Sequence, residues 1–152
     1  MNLPSLLDEM GINYRLSRHD TTYTAQDLAA VEHVPGRKVI KPVVVKADGQ
    51  LVMCALPASH RVDLDTLRSQ LQANDVQLAE EDELAEVFRG CELGAEPPIG
   101  KIFGMPTIMD ESLFADERVT FQAGTHTDAV TMTLADYRKL AQPEVAYFGK
   151  HL

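Results

Sequence analysis

Val39-Ile40-Lys41-Pro42-Val43-Val44-Val45-Lys46-Ala47-Asp48-Gly49-Gln50-Leu51-Val52-Met53-Cys54-Ala55-Leu56 is an apolar run broken at its centre by a tight-turn pair. Asp-Gly readily adopts the positive φ angles of a two-residue hairpin loop, and the flanking β-branched residues suit a pleated, buried surface. The stretch predicts a β-hairpin. Within it Lys41 is out of place, because period-2 alternation puts it on the face of Val39, Val43 and Val45. An unpaired ammonium on an apolar face must reach solvent at a rim or meet a negative partner. Pro42 cannot donate to a ladder, so a bulge or a sheet edge is expected beside it. Lys41 is therefore either a pocket wall or a lysine snorkelling from a strand edge.

Outward from the hairpin the elements are short and alternate. Leu3, Leu6, Leu7 and Met10 lie at helical spacing before Gly11, and Ile12, Tyr14 and Leu16 alternate like a strand. Thr24 opens a helix through Leu28 and Val31 that ends before Pro35-Gly36. On the other side Asp63 caps a helix carrying Leu64, Leu67 and Leu71, and a brief strand at Val76 to Leu78 leads into an acidic helix from Glu80 to Phe88. Further strands are expected at Pro106 to Met109, Arg118 to Gln122 and Ala129 to Met132, with a turn at Asp110 to Ser112 and a last helix opened by Thr133. Strands and helices in this order predict an α+β fold, a mixed, mainly antiparallel sheet with peripheral helices, and not a regular βαβ repeat.

Between the acidic helix and the next strand lies Gly90-Cys91-Glu92-Leu93-Gly94-Ala95-Glu96-Pro97-Pro98-Ile99-Gly100. Glycines admit positive φ while prolines fix φ and carry no N–H, so the segment is neither helix nor strand. It is either a long surface connection or a shaped loop whose amides and carbonyls point at a ligand.

Composition limits what the chain can do. With 152 residues, 45% of them apolar, it is the size of one domain able to bury its own core, and residues 1–152 are expected to form a single unit. No apolar run is long enough to span a bilayer, and Met1-Asn2-Leu3-Pro4 does not begin a basic-then-apolar leader, so a cytoplasmic protein with no membrane partner is expected. Cys54 and Cys91 have no metal-site spacing and are expected to be free thiols. The five histidines are scattered without a metal-binding pattern; no metal and no cofactor is expected. A net charge of −9 argues against broad attraction to nucleic acid, and no DNA partner is expected. Any nucleic-acid contact must be local. From Gly36 to Lys46 the chain carries Arg37, Lys38, Lys41 and Lys46 and no acid, which makes a positive island that serves as a nucleic-acid contact or as a lysine-blocked strand edge.

Taken in order, Val39 to Val45, Ala55-Leu56-Pro57-Ala58 leading to Val62-Asp63-Leu64, Gly90 to Gly100, Pro106 to Asp110 and Phe121-Gln122-Ala123-Gly124 resemble the family of YbaK-type aminoacyl-tRNA deacylases. That family is related to the editing domain of bacterial prolyl-tRNA synthetase. The resemblance covers roughly residues 20 to 140. It implies hydrolysis of the ester joining a wrong, small amino acid to the terminal ribose of tRNA. Lys41 falls on the family's functional lysine, and Gly94, Pro98 and Gly100 fall in its glycine loop. On this reading Lys41, Gly94 and Gly100 are the catalytic candidates. Gly90, Pro98, Asp110, Gly124, His126 and His60 are the substrate-binding candidates, and Arg37, Lys38 and Lys46 contact the tRNA. The expected partner is aminoacyl-tRNA, with a synthetase or an elongation factor as a further one. Two departures stand out: Pro42 replaces the threonine often found after the lysine, and His126 lies near the place of the synthetase domain's histidine without a clear match in register, which leaves it a substrate-pocket candidate only.

The chemistry fits these residue types. An activated ester needs a positioned water, donors aimed at the developing oxyanion and a hold on the substrate, but no protein nucleophile. No GxSxG elbow and no Ser/His/Asp or Cys/His signature is present. Discrimination by one methylene is worth only about 1–3 kcal/mol, which is why a second hydrolytic site is needed at all. The rival reading is a noncatalytic module that binds aminoacyl-tRNA or an aminoacyl-adenosine-like ligand.

Overall fold

The computed structural model describes residues 2–152. In chain order the elements are α1 (Leu3–Glu9), β1 (Arg15–Arg18), α2 (Ala25–Val31), β2 (Ile40–Ala47), β3 (Gln50–Pro57), β4 (His60–Val62), α3 (Leu64–Leu71), β5 (Val76–Leu78), α4 (Glu81–Val87), β6 (Thr107–Asp110), β7 (Arg118–Gln122), β8 (Asp128–Thr133), α5 (Leu134–Ala141), β9 (Glu144–Ala146) and β10 (Gly149–His151). No helix among the described residues is long and apolar enough to cross a membrane.

The hairpin is the centre of the molecule. β2 and β3 pair antiparallel from Ile40 opposite Pro57 to Ala47 opposite Gln50. Asp48 (φ 48°) and Gly49 (φ 85°) turn the chain with both central residues at positive φ, matching the right-handed twist of the strands. Around this pair a five-stranded sheet forms in the order β5-β2-β3-β6-β9, antiparallel on the β5 side and parallel from β3 to β9. A three-stranded antiparallel sheet, β1-β8-β7, packs over one of its faces. The architecture is the mixed, mainly antiparallel α+β fold that the element order suggests.

Burial on both faces explains why the hairpin reads as nearly continuous apolar sequence. One face carries Ile40, Ala55 and Met109 into a core with Phe121, Val130, Met132 and Tyr137, closed by Leu3 and Leu7 of α1. The other carries Val45, Cys54, Leu56 and Ile108 against Leu67 of α3 and Phe148. Both thiols are free; burial pushes Cys54 up to about 12 and raises Cys91.

Helix ends follow the local rules. The hydroxyls of Thr24 and Thr133 and the carboxylate of Asp63 accept backbone N–H groups in the first turns of α2, α5 and α3. Two expectations shift. The strand anticipated from Ile12 begins only at Arg15, because Ile12 is drawn into the core and its amide bonds back to Leu7. The Asp110 to Ser112 turn extends into a short 3-10 segment, Glu111–Ala115, with Asp110 as its cap.

Asp110 holds the C-terminus in place. Its buried carboxylate accepts the amides of Phe148 (2.9 Å), Gly149 (2.7 Å) and Ser112 (3.1 Å), together with the Ser112 hydroxyl. Burial alone would raise its pKa, but the Ser112 hydroxyl and the three amides outweigh it and hold the carboxyl below the ordinary 3.8. The stabilisation is therefore complete above pH 3.8 and lost as pH falls through the depressed folded value. Asp110→Ala leaves the Phe148 and Gly149 amides buried without an acceptor and is expected to cost about 3 kcal/mol, read by urea unfolding at pH 7. Its deficit relative to the parent should shrink below pH 3.8. A pH-independent difference would remove Asp110 from this role.

Candidate functional site

Lys41 sits where β2 is an edge. β5 pairs only with Val45–Ala47, so the first half of β2 has no strand neighbour on that side. The ladder shows why proline is tolerated there. Residues such as Val44 direct their peptide groups outward, Val44 accepting from Ala79, and Pro42 shares that phase. Its missing N–H faces the open edge and no bulge is needed. Lys41 is half-buried opposite Leu56 and makes no ion pair among the described residues. Burial holds its ammonium below the ordinary lysine range.

Beside this edge is a recess of about 200 Å³ lined by Ala25, Leu28, Ile40, Lys41, Pro42, Gly94, Glu96 and Gln122. Four separated stretches of chain meet in it. Among the described residues Lys41 is its sole cation and Glu96 its sole carboxylate. Glu96 is 9% exposed and accepts the Gly94 amide at 2.9 Å. Burial raises its carboxyl above the ordinary range, partly offset by its own amide and that of Gly94 and by His126. Gln122, 7% exposed, is oriented by a bond from Nε2 to the Thr22 hydroxyl, and its Oε1 has no partner.

The Gly90 to Gly100 segment divides in two: Gly90 to Gly94 runs along the surface, and Ala95 to Gly100 are all buried. Its shape is maintained by bonds from other elements. Gly124 donates to the Ala95 carbonyl and accepts from the Glu92 amide (2.9 and 2.8 Å). His126 Nε2 donates to the Leu93 carbonyl at 2.9 Å, and its backbone amide donates to the Glu92 carboxylate at 2.8 Å. The Tyr137 hydroxyl, on α5, donates to the Pro98 carbonyl at 2.6 Å.

The sequence-derived candidates therefore separate. Lys41 and Gly94 line the recess. Gly124, His126 and Pro98 hold the loop that forms its wall, although the buried Nδ1 of His126 is left without a partner. Gly90, at φ 88°, turns the chain after α4. Gly100 is outside the recess: its amide is used by the Thr107 hydroxyl at 2.7 Å, and a Cβ there would lie 2.6 Å from the Met105 carbonyl. His60 and Asp110 line a different depression with Tyr147, Gly149 and His151. There the His60 and His151 rings stand 5.1 Å apart across the β4–β10 pair.

The positive island is also less free than its sequence suggests. Arg37 and Lys38 share Asp116, at 3.3 and 4.0 Å, and Lys46 meets Glu83 at 2.6 Å. Lys46 lies at the far end of an eight-residue strand, roughly 25 Å from Lys38. Acids distant in sequence compensate the island, and no local reading of residues 36–46 reveals them.

Sequence reasoning passed over Glu96 and Gln122. Each carries a local signal, an acid between Ala95 and Pro97 in a loop otherwise poor in side-chain function, and an amide ending the apolar strand Val119-Thr120-Phe121.

The multifunctional Ser/Thr-tRNA deacylase ProXp-y of Escherichia coli K12 is 28% identical over 97% of this chain and 91% of its own length. The prolyl-tRNA editing protein ProX of Acetoanaerobium sticklandii is 23% identical over 90% and 86%. The crystal structure of a candidate trans-editing enzyme for prolyl-tRNA synthetase superposes with a TM-score of 0.82 at 20% identity, covering 97% of this chain and 94% of that one. The aminoacyl-tRNA editing domain model matches residues 19–140, the span that contains both walls of the recess, and the chain belongs to that family.

Proposed function

We propose that the protein hydrolyses the ester of a mischarged tRNA bearing a small amino acid. The observation that carries this reading is the recess itself. It is about 200 Å³, small for a ligand pocket, and joins an unpaired, half-buried lysine to a glycine-turned loop wall. Such a volume suits a small aminoacyl group. Membership in the editing family and the names of the curated relatives support the reaction class.

Lys41 is the group in the recess that can place positive charge on the developing oxyanion or on the ribose-phosphate end of the substrate. Its desolvation makes that charge more effective than at an open surface. The attacking nucleophile is water, positioned between the loop wall and the ester. Gly94 acts by backbone shape, because its amide is already given to Glu96.

That same fact favours a second reading. The amides of Gly94 and Gly100, the two catalytic candidates of the loop, both donate within the protein, which suits a module that binds aminoacyl-tRNA without turnover. A deacylation screen over tRNAs mischarged with glycine, alanine, serine, threonine and larger residues separates the two. Turnover confined to small residues is expected; binding without turnover would establish the module instead.

Gly94 provides a steric test. At φ +90° an added Cβ meets only His126 Cε1 at 3.5 Å, so one atom fits but the branches of valine must enter the recess. Gly94→Val is expected to reduce kcat/KM by at least about tenfold, at a stability cost of about 1–2 kcal/mol for the left-handed backbone. Unchanged kinetics would make the loop a connection only.

A further inference from the structure

We infer that the Glu96 carboxylate and the Gln122 carboxamide oxygen form a seat for a free α-ammonium, so that the recess takes aminoacyl groups with an unblocked amine and rejects N-acylated ones. The inference deepens the proposed function and rests on that reading for the identity of the substrate.

The recess has two chemically opposite walls. Lys41 supplies the cation and Glu96 the carboxylate, yet the two do not form an ion pair, so each is left to act on whatever lies between them. Among the described residues Glu96 is bound only by backbone amides, its own and that of Gly94, and no cation lies within ion-pair distance of it. A buried carboxylate without a counter-charge is rare in a folded protein and is costly unless a ligand completes it. Gln122 is the second independent sign. The Thr22 hydroxyl fixes its amide nitrogen, which leaves Oε1, an acceptor only, buried and without a donor in a side chain that lines the recess.

A ligand that completes both groups must bring a positive charge and at least two donors. An ammonium does this, whereas a hydroxyl satisfies one acceptor and no charge. Lys41 across the recess repels the ammonium and attracts the ester and phosphate end, which sets the direction in which the substrate lies. N-acylation removes the charge and two donors and adds atoms to a recess of about 200 Å³. Formylated or peptidyl esters are then excluded by the same seat that holds the free amine.

The test uses the full chain and non-hydrolysable amides of 3′-amino-3′-deoxyadenosine carrying alanine, serine or threonine, each with a free or an N-acetylated amine, measured by calorimetry. The parent should bind the best free-amine form at least about tenfold more tightly than its acetylated counterpart, and Glu96→Gln should narrow that gap to about threefold or less. Glu96→Gln is expected to fold, since burial already favours the uncharged side chain. Gln122→Leu, with Oε1 removed, should narrow the gap in the same direction. Equal affinity of the two forms for the parent, no binding of any free-amine form, or an undiminished gap in Glu96→Gln would overturn the seat. Loss of kcat in Glu96→Gln with KM and the gap unchanged would overturn it as well and make Glu96 a base acting on water. Absence of tRNA hydrolysis with the amine-dependent gap intact would remove the deacylase reading and leave the seat standing.

Discussion

Lys41→Ala is expected to lower deacylation of mischarged tRNA by at least about 100-fold while the protein remains folded. The two halves of this expectation have the same cause. Lys41 has no ion-pair partner among the described residues, and burial disfavours its charged form. A cation held in that state contributes little to stability, so its removal should leave the thermal midpoint unchanged or slightly raised. In the reaction it is the only positive charge that the described residues bring to the recess, and none of its lining neighbours can replace it. Single-turnover hydrolysis gives the rate and a melting curve gives the fold. Lys41→Met, which keeps the apolar stem against Leu56, should be as inactive as alanine. Full activity in either variant would end the assignment. Lost stability without lost rate would make Lys41 a structural residue.

Gly100→Ala is expected to do the reverse, lowering stability by roughly 3 kcal/mol with turnover per folded molecule largely kept. The added Cβ would lie 2.6 Å from the Met105 carbonyl, 2.7 Å from the Thr107 hydroxyl and 2.9 Å from the Pro106 carbonyl. Two of these three atoms are backbone and cannot rotate away. The same step would disturb the bond from the Gly100 amide to Thr107, which ties the end of the loop to β6. For a chain of this size the loss corresponds to a fall in Tm of about 6–12 °C, and urea unfolding should show the shift in midpoint without a change in slope. Thr107→Val isolates the hydrogen bond and should cost about 1–3 kcal/mol, because the Gly100 amide is buried. A stable but inactive Gly100→Ala would return this glycine to the chemistry that its place in the loop suggests.

These two residues show how far local sequence carries. The misfit of Lys41 in an apolar strand is visible from alternation alone, and the structure places it at an edge beside a recess as that misfit requires. Gly100 is equally prominent in sequence. Yet its glycine identity is explained by carbonyls from residues 105 and 106 folding back onto it, which is a matter of packing and not of pattern. Charge behaves likewise. Arg37, Lys38 and Lys46 form an island along the chain, but Asp116 and Glu83 reach them from elsewhere and divide it. His60 and Asp110 stand among the motif residues in sequence and in another depression in space.

Local sequence accounts for the hairpin, its Asp48-Gly49 turn, the helix caps, the open edge at Pro42 and the unusual backbone of residues 90–100. Each depends on neighbours within a few positions, through φ preferences, side-chain alternation and local hydrogen bonds. Only the tertiary structure decided the parallel pairing of β3, β6 and β9, the anchoring of the C-terminus on Asp110, and the meeting of Lys41, Glu96 and Gln122 around one small recess. Those depend on contacts between residues tens of positions apart, whose free energy comes from burial and desolvation once the chain has closed. Periodicity carries no record of them.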